Sequence, residues 1–156
     1  YNSDFEPFLQ LAGTIGFATT FWDKMTFQYT NDAGFTFETP SSDVFDFYLG
    51  GYNKNYINTF YRFYGYDFAA LSGNSFVRSE FLLRYELFNK QHLSFLANFA
   101  RVEENVFKNI QIFDDSLSGY ALGYGLETFL GPIEIKYSWS PDTKNSFWLF
   151  NLGFWF

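Results

Sequence analysis

Cysteine is absent from the sequence, which excludes a disulfide framework and any thiolate metal site. No stretch of about 20 consecutive apolar residues occurs, so a membrane-spanning helix is excluded as well. Basic residues are scarce: Lys and Arg number 10 against 17 Asp and Glu, a net charge of -7. So acidic a chain lacks the cationic surface that phosphate backbones require, and nucleic acid is not an expected partner. The Gly-x-Ser-x-Gly elbow of serine hydrolases is missing. The single histidine, His92, opens a strand-like run beside a turn, a place for an interfacial residue rather than a catalytic base. Glu103, Glu104, Asp114 and Asp115 share an acidic loop without the ligand spacing of a calcium loop, and they read as solvated. No catalytic residue, cofactor or metal ligand is therefore expected. Neither an initial Met nor a signal-type leader is found, so the expectation is a mature protein or a piece of one.

What is abundant is aromatic. Phe, Trp and Tyr make up 26% of the residues, yet the mean hydropathy is only -0.15. Large apolar side chains are thus diluted by polar ones nearly one for one. Alternation explains this: in a β-strand successive side chains point to opposite faces. The C-terminal stretch shows it best, with Trp148, Phe150, Leu152, Phe154 and Phe156 on one face. Such a run resembles the closing strand of a bacterial outer-membrane barrel, whose edges cannot stay unpaired in hydrocarbon.

The same period of two recurs upstream. It predicts strands over Phe8–Phe21, Met25–Glu38, Phe76–Phe88, Leu93–Val102, Gly119–Phe129, Ile133–Ser140 and Ser146–Phe156. These lengths suit tilted membrane strands better than the shorter strands of soluble sandwiches. The outward, lipid-facing set is expected to include Leu83, Tyr85, Phe95, Phe99, Tyr124, Ile135 and Tyr137. Arg101 falls on the same register at a strand end, free either to snorkel toward lipopolysaccharide phosphates or to pair with Glu103. Tight turns at Asp23, Lys90 and Gly131 alternate with longer connections at 39–74, 103–118 and 141–145. Short periplasmic turns and long outer loops are the barrel pattern. Seven strands do not make an even-numbered barrel, so the chain, residues 1–156, is expected to be the C-terminal portion of a larger one.

Residues 39–74 are too long for a plain connection and rich in aromatic residues, which predicts packing against something. Arg78, Glu80, Arg84 and Glu86 alternate on the inward face of the following strand and offer a charged wall. Mutual pairing and docking of the long loop are their expected roles.

The order Leu49-Gly50-Gly51, Phe63-Tyr64-Gly65-Tyr66, Leu71-Ser72-Gly73-Asn74, then five strands to a terminal Phe, resembles the Bam/Tam-type outer-membrane superfamily, also called the surface antigen family. The ending Gly131-Pro132-Ile133-Glu134, Ser138-Trp139-Ser140-Pro141-Asp142 and Gly153-Phe154-Trp155-Phe156 is most similar to the barrel of Bacteroidota patatin-like phospholipases. The resemblance implies an all-β antiparallel transmembrane barrel of roughly sixteen strands, of which about seven are present. It implies that the loop folds into the lumen and docks by its tip, here Tyr64, Gly65 and Tyr66. An Arg is usual where Tyr64 stands, and Arg62 is the nearest guanidinium, so docking is expected to rest on hydrogen bonds and packing rather than a buried ion pair. The implied location is the bacterial outer membrane. Implied partners are its lipids, lipopolysaccharide and the barrel assembly machinery during insertion, with a homodimer or larger membrane complex left open. The implied function is to anchor or translocate an attached patatin-like lipolytic domain, with the chemistry outside this chain. The alternative is an insertase or translocation barrel without an enzyme domain.

Overall fold

The computed structural model describes residues 8–37, 45–52, 59–106, 116–129 and 131–153. A first hairpin joins β1 (Leu9–Phe21) to β2 (Met25–Phe37). Trp22 and Asp23, with φ of 49° and 60°, make its turn, since left-handed residues match the twist of the flanking strands. Three short strands follow: β3 (Phe47–Leu49), β4 (Phe60–Tyr61) and β5 (Leu71–Gly73). The remainder is β6 (Ser75–Phe88), β7 (Gln91–Glu103), β8 (Leu117–Thr128), β9 (Gly131–Trp139) and β10 (Ser146–Leu152). The seven long strands form one antiparallel sheet in the order β1-β2-β6-β7-β8-β9-β10. The fold is all-β, and its seven-stranded wall agrees with the barrel expectation.

Some boundaries move. Strand β7 begins at Gln91 rather than Leu93, and β8 at Leu117 rather than Gly119. Strand β10 ends at Leu152, where Gly153 takes a φ of 88°. Phe154 and Phe156 lie outside the described residues, as do Glu38 to Val44, Asp114 and Asp115.

Register sorts the two faces. One cross-strand row carries Phe17, Tyr29, Phe81, Ala97, Tyr120 and Trp139, and the next carries Phe27, Leu83, Phe95, Leu122, Tyr137 and Trp148. All lie on the face away from the loop. With Phe99 from the adjoining row, rings on this face meet in sequence: Tyr29–Phe81 at 4.9 Å, Phe81–Phe99 at 6.2 Å, Phe99–Tyr120 at 6.2 Å and Tyr120–Trp139 at 5.7 Å. Cross-strand aromatic pairs of this kind stabilise a sheet beyond area burial. Trp148, Phe150 and Leu152 continue the face and are exposed at 71%, 71% and 75%.

The opposite face carries Asp32 against Arg78, Thr30 against Glu80, Asn98 against Gly119, and Gly123 against Lys136. Over this polar face lies the excursion between β2 and β6. Of its described residues, Phe47–Leu49 form β3, the centre of a separate three-stranded sheet β4-β3-β5. Strand β3 pairs parallel to β4 and antiparallel to β5. The main core sits between this small sheet and the wall: Phe47, Leu49, Phe63 and Tyr66 from the loop pack with Phe76 and Ala100 from β6 and β7. Burying each such Phe or Leu contributes about 1.5–3 kcal/mol. That gain explains why an aromatic-rich loop folds back instead of exposing a large apolar patch.

Candidate functional site

Ionic chemistry at the loop begins with register. Antiparallel pairing sets Asp32 of β2 directly opposite Arg78 of β6. Arg78 Nε donates to Asp32 Oδ2 at 2.9 Å, and Thr14 Oγ1 donates to Asp32 Oδ1 at 2.7 Å. Arg78 also lies 3.6 Å from Glu80 Oε2 and donates through Nη1 to the carbonyl of Arg62 in the loop. Arg62 in turn grips Glu80 with both ends of its fork: Nε donates to Oε2 at 3.1 Å, and Nη2 pairs with Oε1. The Arg78 and Glu80 side chains are only 5% and 3% exposed. Two guanidinium groups and two carboxylates thus balance in a network in which Arg78 and Glu80 are buried and Arg62 stays a quarter exposed. Such an arrangement holds only when every member is paired. Arg62 is held above its ordinary pKa: burial opposes its charge, and neighbouring Tyr64, Glu80 and Asp32 outweigh that cost.

The tip sits beside this network. Tyr64 is 2% exposed, and its N–H donates to Asn98 Oδ1 at 2.9 Å while Asn98 Nδ2 returns a bond to the Tyr64 carbonyl at 3.4 Å. Asn98 on β7 therefore acts as a backbone-like partner for one loop peptide. Gly119, its neighbour on β8, leaves the space: a Cβ there would collide with the Tyr64 carbonyl. Gly65 has a φ of 85°, and a Cβ would come 2.5 Å from the Trp139 carbonyl, so only glycine fits the tip. The Tyr64 ring packs with Leu96, Ala121 and Leu149 and lies 5.7 Å from Lys136 Nζ. Truncating Asn98 to Ala would leave the Tyr64 N–H buried without its partner. A loss of about 1–3 kcal/mol is expected, read as earlier unfolding in a heat-modifiability series.

Two expectations are corrected here. Tyr64, Gly65 and Tyr66 rest against β7, β8 and the end of β9, not against the charged side chains of β6. The ionic grip on β6 comes instead from Arg62, so docking does include a largely buried ion pair. Only half of the charged wall takes part. Arg78 and Glu80 meet the loop, whereas Arg84 faces His92 Nδ1 at 2.9 Å and Glu127 at 3.5 Å. Arg84 and Glu86 line a recess with Asp23, Lys24, Lys90 and His92, the turn residues at the other end of the wall. Arg84 lies six residues beyond Arg78, roughly 20 Å along the strand at about 3.3 Å per residue, which is why shared parity did not bring all four together. Arg101 donates to Glu103 at 2.7 Å and is 7% exposed, the ion-pair alternative rather than an outstretched side chain. Asp32, Asn98 and Asp142 escaped the sequence reading, because their roles depend on cross-strand register and loop placement. The inward parity of Asp32 and Asn98 was visible, and opposite charge across a strand pair was the usable signal.

A long-stranded antiparallel wall, apolar on one face and polar on the other, with a loop packed on the polar face, is the architecture of an outer-membrane β-barrel fragment. The OMP85 superfamily model matches residues 1–156, and the chain belongs to that superfamily of outer-membrane proteins. A comparison with individual curated proteins finds no match.

Proposed function

We propose that the chain forms the C-terminal portion of an outer-membrane barrel that inserts or translocates polypeptide, with residues 39–74 as its lumen loop. The observation that carries this is the Arg62–Glu80 pair beside the Tyr64–Asn98 bonds, because it pins a long loop across the polar face at two chemically different points. Arg62 supplies the guanidinium that the loop motif lacks at position 64, which supports the insertion reading. The aromatic face bearing Leu83, Phe95, Tyr124 and Ile135 would contact lipid. Trp148, Phe150 and Leu152, with Phe154 and Phe156 beyond them, would serve as the signal presented to the assembly machinery. An attached patatin-like lipolytic domain is the finer form of this reading, supported by the order of motifs from Gly131 to Phe156.

Full-length protein reconstituted in liposomes, given an unfolded outer-membrane barrel as substrate, tests the proposal. Faster substrate folding than with empty liposomes is expected, with the gain reduced by Arg62→Ala. No acceleration by the wild type would remove the insertion role. Labelling of the same preparation by a fluorophosphonate supports the attached serine lipase, and its absence removes that finer reading alone.

A further inference from the structure

We propose that Asp142, in the turn between β9 and β10, is a second latch that positions the loop tip from outside the ionic network. The inference rests on the reading that the loop sits docked on the polar face. Asp142 Oδ2 accepts three hydrogen bonds: from the Tyr66 hydroxyl at 3.1 Å, from the Ser118 N–H at 2.6 Å and from Ser118 Oγ at 3.1 Å. One carboxylate oxygen thereby joins three segments far apart in sequence: the loop tip, the start of β8 and the β9–β10 turn. Bonds to a charged acceptor are shorter and stronger than neutral ones. The carboxylate is held ready for this. Asp142 N donates to Ser140 Oγ at 3.1 Å, Lys144 N to the Ser140 carbonyl at 3.1 Å, and Asn145 N to Thr143 Oγ1 at 3.2 Å, so the turn is internally braced. Thr143 Oγ1 adds a contact to the Gly65 carbonyl at 3.4 Å, the peptide next to the Tyr64 carbonyl that Asn98 holds.

The two latches differ in kind. Arg62, Arg78, Asp32 and Glu80 hold the loop by a closed set of ion pairs against β2 and β6. Asp142 holds Tyr66 against β8 through a turn whose residues are exposed. A loop fixed at both ends of its tip cannot swing about either anchor alone. Releasing Asp142 would therefore loosen the Tyr66 end of the tip, leaving its ring packed on Phe63, while Arg62 stays bound. That makes the β9–β10 turn the point from which the docked loop can be loosened without breaking the buried charges.

Hydrogen exchange of the full-length protein in nanodiscs, followed by mass spectrometry, reads this directly. In the wild type the peptide covering residues 62–68 should exchange slowly. Asp142→Ala should speed its exchange at least about tenfold, the equivalent of 1.4 kcal/mol, with β6 and β7 peptides unchanged. Tyr66→Phe, which removes one hydroxyl, should reproduce the effect at the tip, and adding it to Asp142→Ala should bring nothing further. Asp142→Asn, which keeps an acceptor oxygen, should restore part of the protection. Protection in the wild type that neither Asp142→Ala nor Tyr66→Phe reduces would overturn the latch. Faster exchange everywhere in Asp142→Ala, with Tyr66→Phe silent, would reassign Asp142 to overall stability and also overturn it. A wild-type loop that exchanges at the rate of an open chain would instead defeat the docking reading beneath both.

Discussion

Replacing Glu80 with Ala is expected to cost about 3–5 kcal/mol of stability, the penalty for removing one partner of a buried ion pair. The reason is arithmetic of charge. With Glu80 gone, Arg62 and Arg78 stand near each other with Asp32 as the remaining carboxylate of the network. Arg78 keeps its bonds to Asp32, so β2 and β6 stay paired, and the loss falls on the loop. Arg62→Ala should cost less, because it removes the partner that is still a quarter exposed. The double substitution should be milder than the sum of the singles, since both break one interaction. Denaturant unfolding in detergent micelles, with loop proteolysis as a second probe, gives both numbers. Equal stability of Glu80→Ala and wild type would show that the network carries no docking energy. Because the network includes an ion pair rather than hydrogen bonds alone, docking should weaken as salt rises, though less than an exposed pair would.

Phe95→Arg is expected to cost about 2–4 kcal/mol, the price of a guanidinium on a lipid-facing strand near the bilayer midplane. Phe95 is 42% exposed, lies between Leu83 and Leu122 on the neighbouring strands, and points away from the loop. The inward neighbour at position 94 is the control: Ser94 is buried on the polar face, so its substitutions should act through packing against Gly123 and Lys136 instead. Folding yield into lipid vesicles separates the two faces. An Arg tolerated at 95 without loss would place that face against water or protein.

Much of the wall was legible because period-two patterning needs no knowledge of partners. Leu9 to Phe21 and Met25 to Phe37 alternate along their whole length, and the turn at Asp23 shows where one becomes the other. The small sheet was not legible. Its strands β4 and β5 are two and three residues long, too short to show a period, and β3 pairs with residues 12 or more positions away. At the site, Arg78 and Glu80 stood out because charge at spacing two is conspicuous on a strand. Which of four alternating charges meets the loop depends on how far down the wall the loop reaches, and no residue type encodes that depth. Arg62 drew notice as the nearest guanidinium, but its reach to Glu80 follows from a long side chain at the edge of the tip. Asn98 looked like an ordinary lumen polar residue. Only the placement of the Tyr64 peptide reveals it as a partner.

Cysteine trapping tests the docked loop most directly, and the absence of native cysteines makes every thiol an introduced one. Cysteines at positions 64 and 98 should join in intact outer membranes through a short thiol-reactive crosslinker, since the Tyr64 N–H and Asn98 Oδ1 are 2.9 Å apart. Cysteines at 64 and 84 should not join, because Arg84 belongs to the recess at the far end of the wall. Tyr64→Cys alone should resist a bulky membrane-impermeant maleimide. Failure of the 64–98 crosslink together with ready maleimide labelling at 64 would place the loop outside the barrel and contradict the docked site.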